Sequence, residues 1–264
     1  MLNNVLLKTI RDQRKPLMWW TIGIVSITLI TLLFYPSFAD AQELNDLFLD
    51  NNMMKAFIGD IPDLTSPEGF LDSQLFFLLI PLLFIAFSIT QGTGIIAGEE
   101  EKGTLDIIVS LPISRQWLLL HKLISMFITL LILSLMTLAS LVTGAIIVSM
   151  EISFYNLSAA ILSAFGLSLL FGTLGFTIGS STGKRGTSIG ISGGIAVLSY
   201  FINALAPAVE GLEHARHLSA FYYYIGNDPI LNGINITDIC VLFSLSLAFC
   251  ISAFISFNRR DLGT

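Results

Sequence analysis

Six apolar runs, each close to the length a helix needs to cross a bilayer, leave this chain few folds to choose from. They cover 17–35, 75–97, 118–148, 157–180, 189–206 and 236–257. A bilayer core takes roughly 20 helical residues. Backbone groups find no water there, so each run must satisfy its own N–H and C=O groups as a helix. Only 12% of the 264 residues are charged, about half the usual share in a soluble domain. The expected fold is all-α, a polytopic membrane protein with six transmembrane helices and no appended soluble domain. The third run is longer than the bilayer and should tilt or project. Ser66-Pro67-Glu68 offers an N-cap with proline at the first helical position, so the second helix is expected to begin near Ser66. Pro81 should kink that helix.

Lys and Arg set the orientation. Lys8, Arg11, Arg14, Lys15, Lys102, Arg115, Lys122, Lys184, Arg185, Arg259 and Arg260 fall on one side of a six-span chain, and only Lys55 and Arg216 on the other. Both termini and the 99–115 connection are therefore expected in the cytoplasm of a multi-pass cell-membrane protein. Region 36–74 reads as an acidic outer loop. It holds Asp40, Glu43, Asp46, Asp50, Asp60, Asp63, Glu68 and Asp72 against Lys55, which argues against nucleic acid as a partner. In the N-terminal segment 1–16, Leu2, Val5, Leu6 and Ile10 share a face with the basic residues largely opposite. That pattern suits a helix lying on membrane lipid. The apolar run after it is too long for a signal-peptide core and reads as a true span.

Between the second and third runs lies Glu99-Glu100-Glu101-Lys102-Gly103-Thr104-Leu105-Asp106-Ile107-Ile108-Val109-Ser110-Leu111-Pro112-Ile113-Ser114-Arg115. Thr104 can cap a helix, and Asp106 sits in its first turn, where an anion suits the positive helix end. Pro112 stops the helix after about two turns. Leu105, Ile108 and Val109 share one face. A membrane protein that offers a small apolar helix to the cytosol has a use for it with a soluble partner.

This stretch resembles the cytoplasmic signature of ABC-2 type ABC transporter permeases. The signature has a Glu-rich opening, Gly-Thr-Leu-Glu/Asp, an apolar pair, and Leu-Pro-Val/Ile-Ser-Arg; Asp106 stands where Glu is commoner. The resemblance implies a single permease domain over 1–264, with 1–16 as the family's elbow helix and 98–115 as a coupling loop. That loop would dock on an ABC ATP-binding subunit through Glu99, Glu100, Glu101, Gly103, Thr104, Leu105, Asp106, Ile108, Val109, Pro112 and Arg115. The three glutamates would form a collar near basic groups such as Lys102, Arg115 or the ATPase's own. The resemblance also implies a second permease copy or a sister permease. ATP and magnesium would sit on the ATPase, with no cofactor or metal in this chain. The implied activity is export of a drug, antibiotic, toxin or lipid-like substrate.

Catalytic chemistry finds no foothold in the residues. Gly179 to Arg185 has the wrong spacing for a phosphate loop, and Arg185 stands where magnesium needs Ser or Thr. Ser192 sits in a Gly-x-Ser-Gly string but reads as a packing residue. Glu213, His214 and His217 make a weak metal set. Cys240 and Cys250 share a helix ten residues apart and cannot pair; both read as buried small hydrophobes. The alternative reading is an ion-coupled transporter or intramembrane enzyme, which would need midplane ionisable groups or convergent polar side chains. Small residues recur on the fourth run (Ala160, Ala164, Ser168, Gly172, Gly175, Gly179) and the fifth (Gly186, Gly190, Gly194). They let helices approach closely, either within the chain or between subunits. Tyr222-Tyr223-Tyr224 reads as an interfacial aromatic anchor. Asn203 and Asp238 lie near outer span ends, where they could line a substrate path.

Overall fold

Each apolar run becomes a helix longer than the run itself, and side-chain caps from Ser66, Ser114 and Asn235 start those at Pro67, Arg115 and Ile236. The computed structural model describes residues 5–39, 65–105, 114–206 and 213–260. Among these it is 88% helical, with no strand. Six helices are long and apolar enough to cross a membrane: Val5–Ala39, Pro67–Ile95, Arg115–Ile147, Phe154–Thr182, Arg185–Leu205 and Ile236–Arg259. They are called the first to sixth spans below. Most of the acidic region at 36–74 lies outside the described residues.

The N-terminal segment is helical from Val5, as expected. It runs into the first span as one bent helix, Val5–Leu33, with Pro16 inside it. A proline there removes one backbone bond and crowds the carbonyl of Asp12, which bends the helix without ending it. The second span starts where the cap signal placed it. The Ser66 hydroxyl accepts from Gly69 N–H at 3.1 Å, and Pro67 takes the first helical position. The expected break at Pro81 falls earlier in the chain. A π-helical turn occupies Asp72–Phe76, and Leu78 leaves helical geometry at φ −137°. The ring of Pro81 would clash with the carbonyl of Phe77, so the distortion gathers in the preceding turn. The irregular turn frees the carbonyl of Phe76, which accepts a 2.6 Å bond from the Tyr224 hydroxyl. Tyr224 is 2% exposed. It is a core residue on the short helix Ala220–Ile225, not an interfacial anchor. Burial raises its pKa well above the ordinary tyrosine value, with the Asp72 carboxylate adding to the rise.

The third span has 33 residues. At about 1.5 Å per residue it exceeds a hydrocarbon core of about 30 Å and must project or tilt. The fourth span is the hub, packing on the second, third, fifth and sixth. Its small residues explain the fit with the second span. A Cβ on Gly92 would stand 2.2 Å from the carbonyl oxygen of Gly172, so the two backbones touch there. The fourth span ends at Gly183, in the left-handed region at φ 67°, whose N–H closes on the carbonyl of Gly179. The glycines that faintly suggested a phosphate loop are thus a packing residue and a helix stop. Ser192 is buried and donates to the carbonyl of Ser188 at 2.6 Å, against Gly175 of the fourth span.

At the other end of the bundle, polar bonds tie the fifth span to the segment after it. Ser219 donates to the carbonyl of Ser199 at 2.6 Å, and Arg216 Nε donates to Asn203 Oδ1 at 2.9 Å. Asn203 therefore has a structural bond. Cys240 is exposed and Cys250 half-buried, both as free thiols. The reading of Cys240 as buried does not hold, because its helix packs on the bundle through another face.

Candidate functional site

The signature begins on a five-residue helix, Ala97–Glu101, that continues from the second span. It ends in a tight hydrogen-bonded turn. Thr104 N–H bonds to the carbonyl of Glu99 at 2.9 Å, and Gly103 N–H to that of Glu100 at 2.9 Å. These paired bonds are those of a Schellman cap, with Gly103 in its left-handed position at φ 66°. Glycine is needed there because a Cβ strains that conformation. The Thr104 hydroxyl donates backward to the carbonyl of Glu99 at 3.0 Å. The next helix starts at Leu105. Asp106, Ile108, Val109 and Pro112 lie outside the described residues.

The three consecutive carboxylates go to three different spans. Glu99 Oε2 pairs with Lys122 Nζ of the third span at 2.6 Å. Lys122 is fully buried and also donates to the carbonyl of Ile95 at 2.9 Å. Glu100 takes the guanidinium of Arg260, just past the sixth span. Arg260 Nη1 donates to Oε2 at 2.9 Å, and Nη2 donates to Oε1. This two-pronged geometry fixes orientation as well as distance. Glu101 Oε1 accepts from the backbone N–H of Arg185 at 2.7 Å, at the start of the fifth span. A carboxylate there meets the positive end of that helix. Arg115 closes the ring by donating to the carbonyl of Arg260 at 2.9 Å.

Within the chain the three glutamates take other partners than Lys102 and Arg115. Lys102 and Arg115 do not pair with the glutamates; Lys122, Arg260 and the Arg185 N–H do. Lys122 had a sequence signal, a lysine set inside an apolar run, where burial demands an anion. Arg260 had none, because its partner is 160 residues away. Leu105 also departs from expectation. It is 1% exposed and part of this chain's own core. As the structure stands it anchors the segment inward and does not offer itself to a groove on another protein.

This arrangement is a junction of helix ends. It gathers the ends of the second, third, fifth and sixth spans around one glycine turn, and the only chemistry among its described residues is ion pairing and hydrogen bonding. No curated protein gives a significant match to the chain. The profile of the ABC-2 family transporter proteins, by contrast, matches residues 3–262. Six spans and nearly full-length coverage agree: the chain belongs to the ABC-2 family, as a multi-pass membrane permease subunit of an ABC transporter.

Proposed function

We propose that this permease works in an ATP-driven exporter of the cell membrane, with both termini in the cytoplasm. In this reading a separate ABC ATP-binding subunit, carrying ATP and magnesium, docks on the 98–115 segment. A second copy or a sister permease completes the path. The substrate is a drug, antibiotic, toxin or lipid-like molecule moved outward. The orientation draws support from Lys102, Arg115, Lys122, Lys184, Arg185, Arg259 and Arg260, which all fall at the end that carries the glutamate turn.

The observation that carries the coupling role is the fan of Glu99, Glu100 and Glu101 onto three spans. A push on the segment beyond Gly103 passes through the capped turn to all three spans at once. The ATPase changes shape as it binds and hydrolyses ATP. If the segment binds one shape better than another, that difference biases the arrangement of the bundle. Leu105 holds the segment to the bundle, which leaves Ile108 and Val109 as the docking face.

The test is co-purification of the ATP-binding subunit with Ile108→Asp, beside a membrane-insertion control. A charge desolvated at a docking face has no partner there, so the ATPase and transport should both be lost while insertion persists. Recovery of both at wild-type level would reduce the segment to a connector. The permease purified alone should show no ATP turnover.

A further inference from the structure

A cavity of about 380 Å³ opens at the same end of the bundle, between the N-terminal helix, the second span and the start of the fifth. Its charged lining is Lys8, Lys102 and Arg185 against Asp12 and Glu99. Glu99 is already neutralised by Lys122, so the free balance is cationic. Among the described residues, no ion pair engages Lys8, Lys102 or Arg185.

Two buried polar groups at its wall point to a ligand. Gln13 lines the cavity and is 6% exposed, yet neither its amide nitrogen nor its amide oxygen has a hydrogen-bond partner. A buried amide left unpartnered costs about 1–3 kcal/mol, so such groups are almost always satisfied. The Arg185 Nε is likewise buried without a partner. Its side chain lies along Gly94 of the second span and Gly98 of the helix after it, where added Cβ atoms would stand 3.7 and 3.4 Å from it. The rest of the wall includes Pro16, Trp20 and Ile95. The space is several times that of a phosphate ion, and its wall is part polar and part apolar.

We propose that this cavity binds the phosphodiester headgroup of an anionic phospholipid. Lys8, Lys102 and Arg185 meet the phosphate, the Gln13 amide bonds to headgroup oxygens, and Pro16, Trp20 and Ile95 meet the glycerol end. Basic pockets between spans are suited to such headgroups. Placed beside Glu99 and the Gly103 turn, a bound lipid would brace the N-terminal helix against the junction. The inference is independent of what is transported and in which direction.

The test uses the full-length permease in nanodiscs of phosphatidylcholine doped with phosphatidylglycerol, released into detergent and read by native mass spectrometry. Wild type should retain phosphatidylglycerol over phosphatidylcholine. Lys102→Gln with Arg185→Gln should cut that retention about tenfold, whereas Arg14→Gln, exposed and outside the lining, should leave it unchanged. Gln13→Leu provides a reading that survives if the double variant misfolds. It should raise the thermal stability of the lipid-free protein by removing an unpartnered amide, and it should lose the extra stability that phosphatidylglycerol gives wild type. Unchanged phosphatidylglycerol preference in Gln13→Leu and in the double variant would overturn the proposal. So would equal retention of the two lipids, or displacement of the lipid by millimolar inorganic phosphate, which would make the site one for a free anion.

Discussion

The fourth and fifth spans carry the same small-residue signature and use it in opposite ways. In the fourth, 89% of the most apolar stretch is buried in the chain, against 22% in the fifth. Gly172 and Gly175 of the fourth meet Ser88 and Thr93 of the second at 3.0 and 3.1 Å from where a Cβ would be. Gly186, Gly190, Gly193 and Gly194 of the fifth would meet nothing within 4 Å. Glycine costs helix stability relative to alanine. In the fourth span close packing offsets that cost. In the fifth, nothing among the described residues does, and the second permease of the proposed assembly would supply the offset. A stripe of small residues marks a close approach without saying whose surface approaches.

Substitutions can sharpen this contrast, beginning with the largest effect. Gly92→Ala places a methyl against the carbonyl of Gly172 and must force the second and fourth spans apart. A loss of about 3 kcal/mol is expected, at the upper end for overpacking, visible as a lower unfolding temperature in detergent. Next is Glu99→Gln, which leaves the fully buried Lys122 without its anion. Breaking a buried pair costs about 3–5 kcal/mol. The Glu99 side chain is 21% exposed, so about 2 kcal/mol is expected, with Lys122→Met together with Glu99→Gln recovering most of it. Thr177→Val removes the 2.8 Å bond from the fourth span to the carbonyl of Phe249 in the sixth. That should cost about 1 kcal/mol. The smallest effect on the lone chain belongs to Gly190→Ala, which should be neutral or raise stability by up to about 1 kcal/mol while weakening permease–permease association on size-exclusion chromatography. A large loss of monomer stability in Gly190→Ala would erase the distinction between the two spans.

What the sequence allowed one to read follows the same line. The six spans and the Ser66 cap are local events, written in apolar length and cap chemistry. Periodicity identifies a helix face but not its partner, which is why the two glycine stripes looked alike. Ion pairing across 160 residues leaves no local trace, so Glu100 and Arg260 could be read only as charges at one end of the bundle. Tyr224 misled because a tyrosine run beside a span suits the lipid interface. Its true partner, the carbonyl of Phe76, exists only because a π-helical turn frees it. Leu105 misled in the opposite sense. Its place on an apolar face with Ile108 and Val109 was legible, but its burial in this chain depends on the turn that aims it inward.

The contrast between the spans is most directly tested by oxidative cross-linking of single-cysteine variants. Cys240 and Cys250, both free, are first replaced by Ser, and the assembled transporter is oxidised in native membranes. Gly190→Cys on the fifth span should give a disulfide-linked pair of permeases, with the copy itself or with the sister carrying a cysteine on the same face. Gly172→Cys on the fourth should give none. Cross-linking from Gly172→Cys, or its absence from Gly186→Cys, Gly190→Cys and Gly194→Cys alike, would contradict the account.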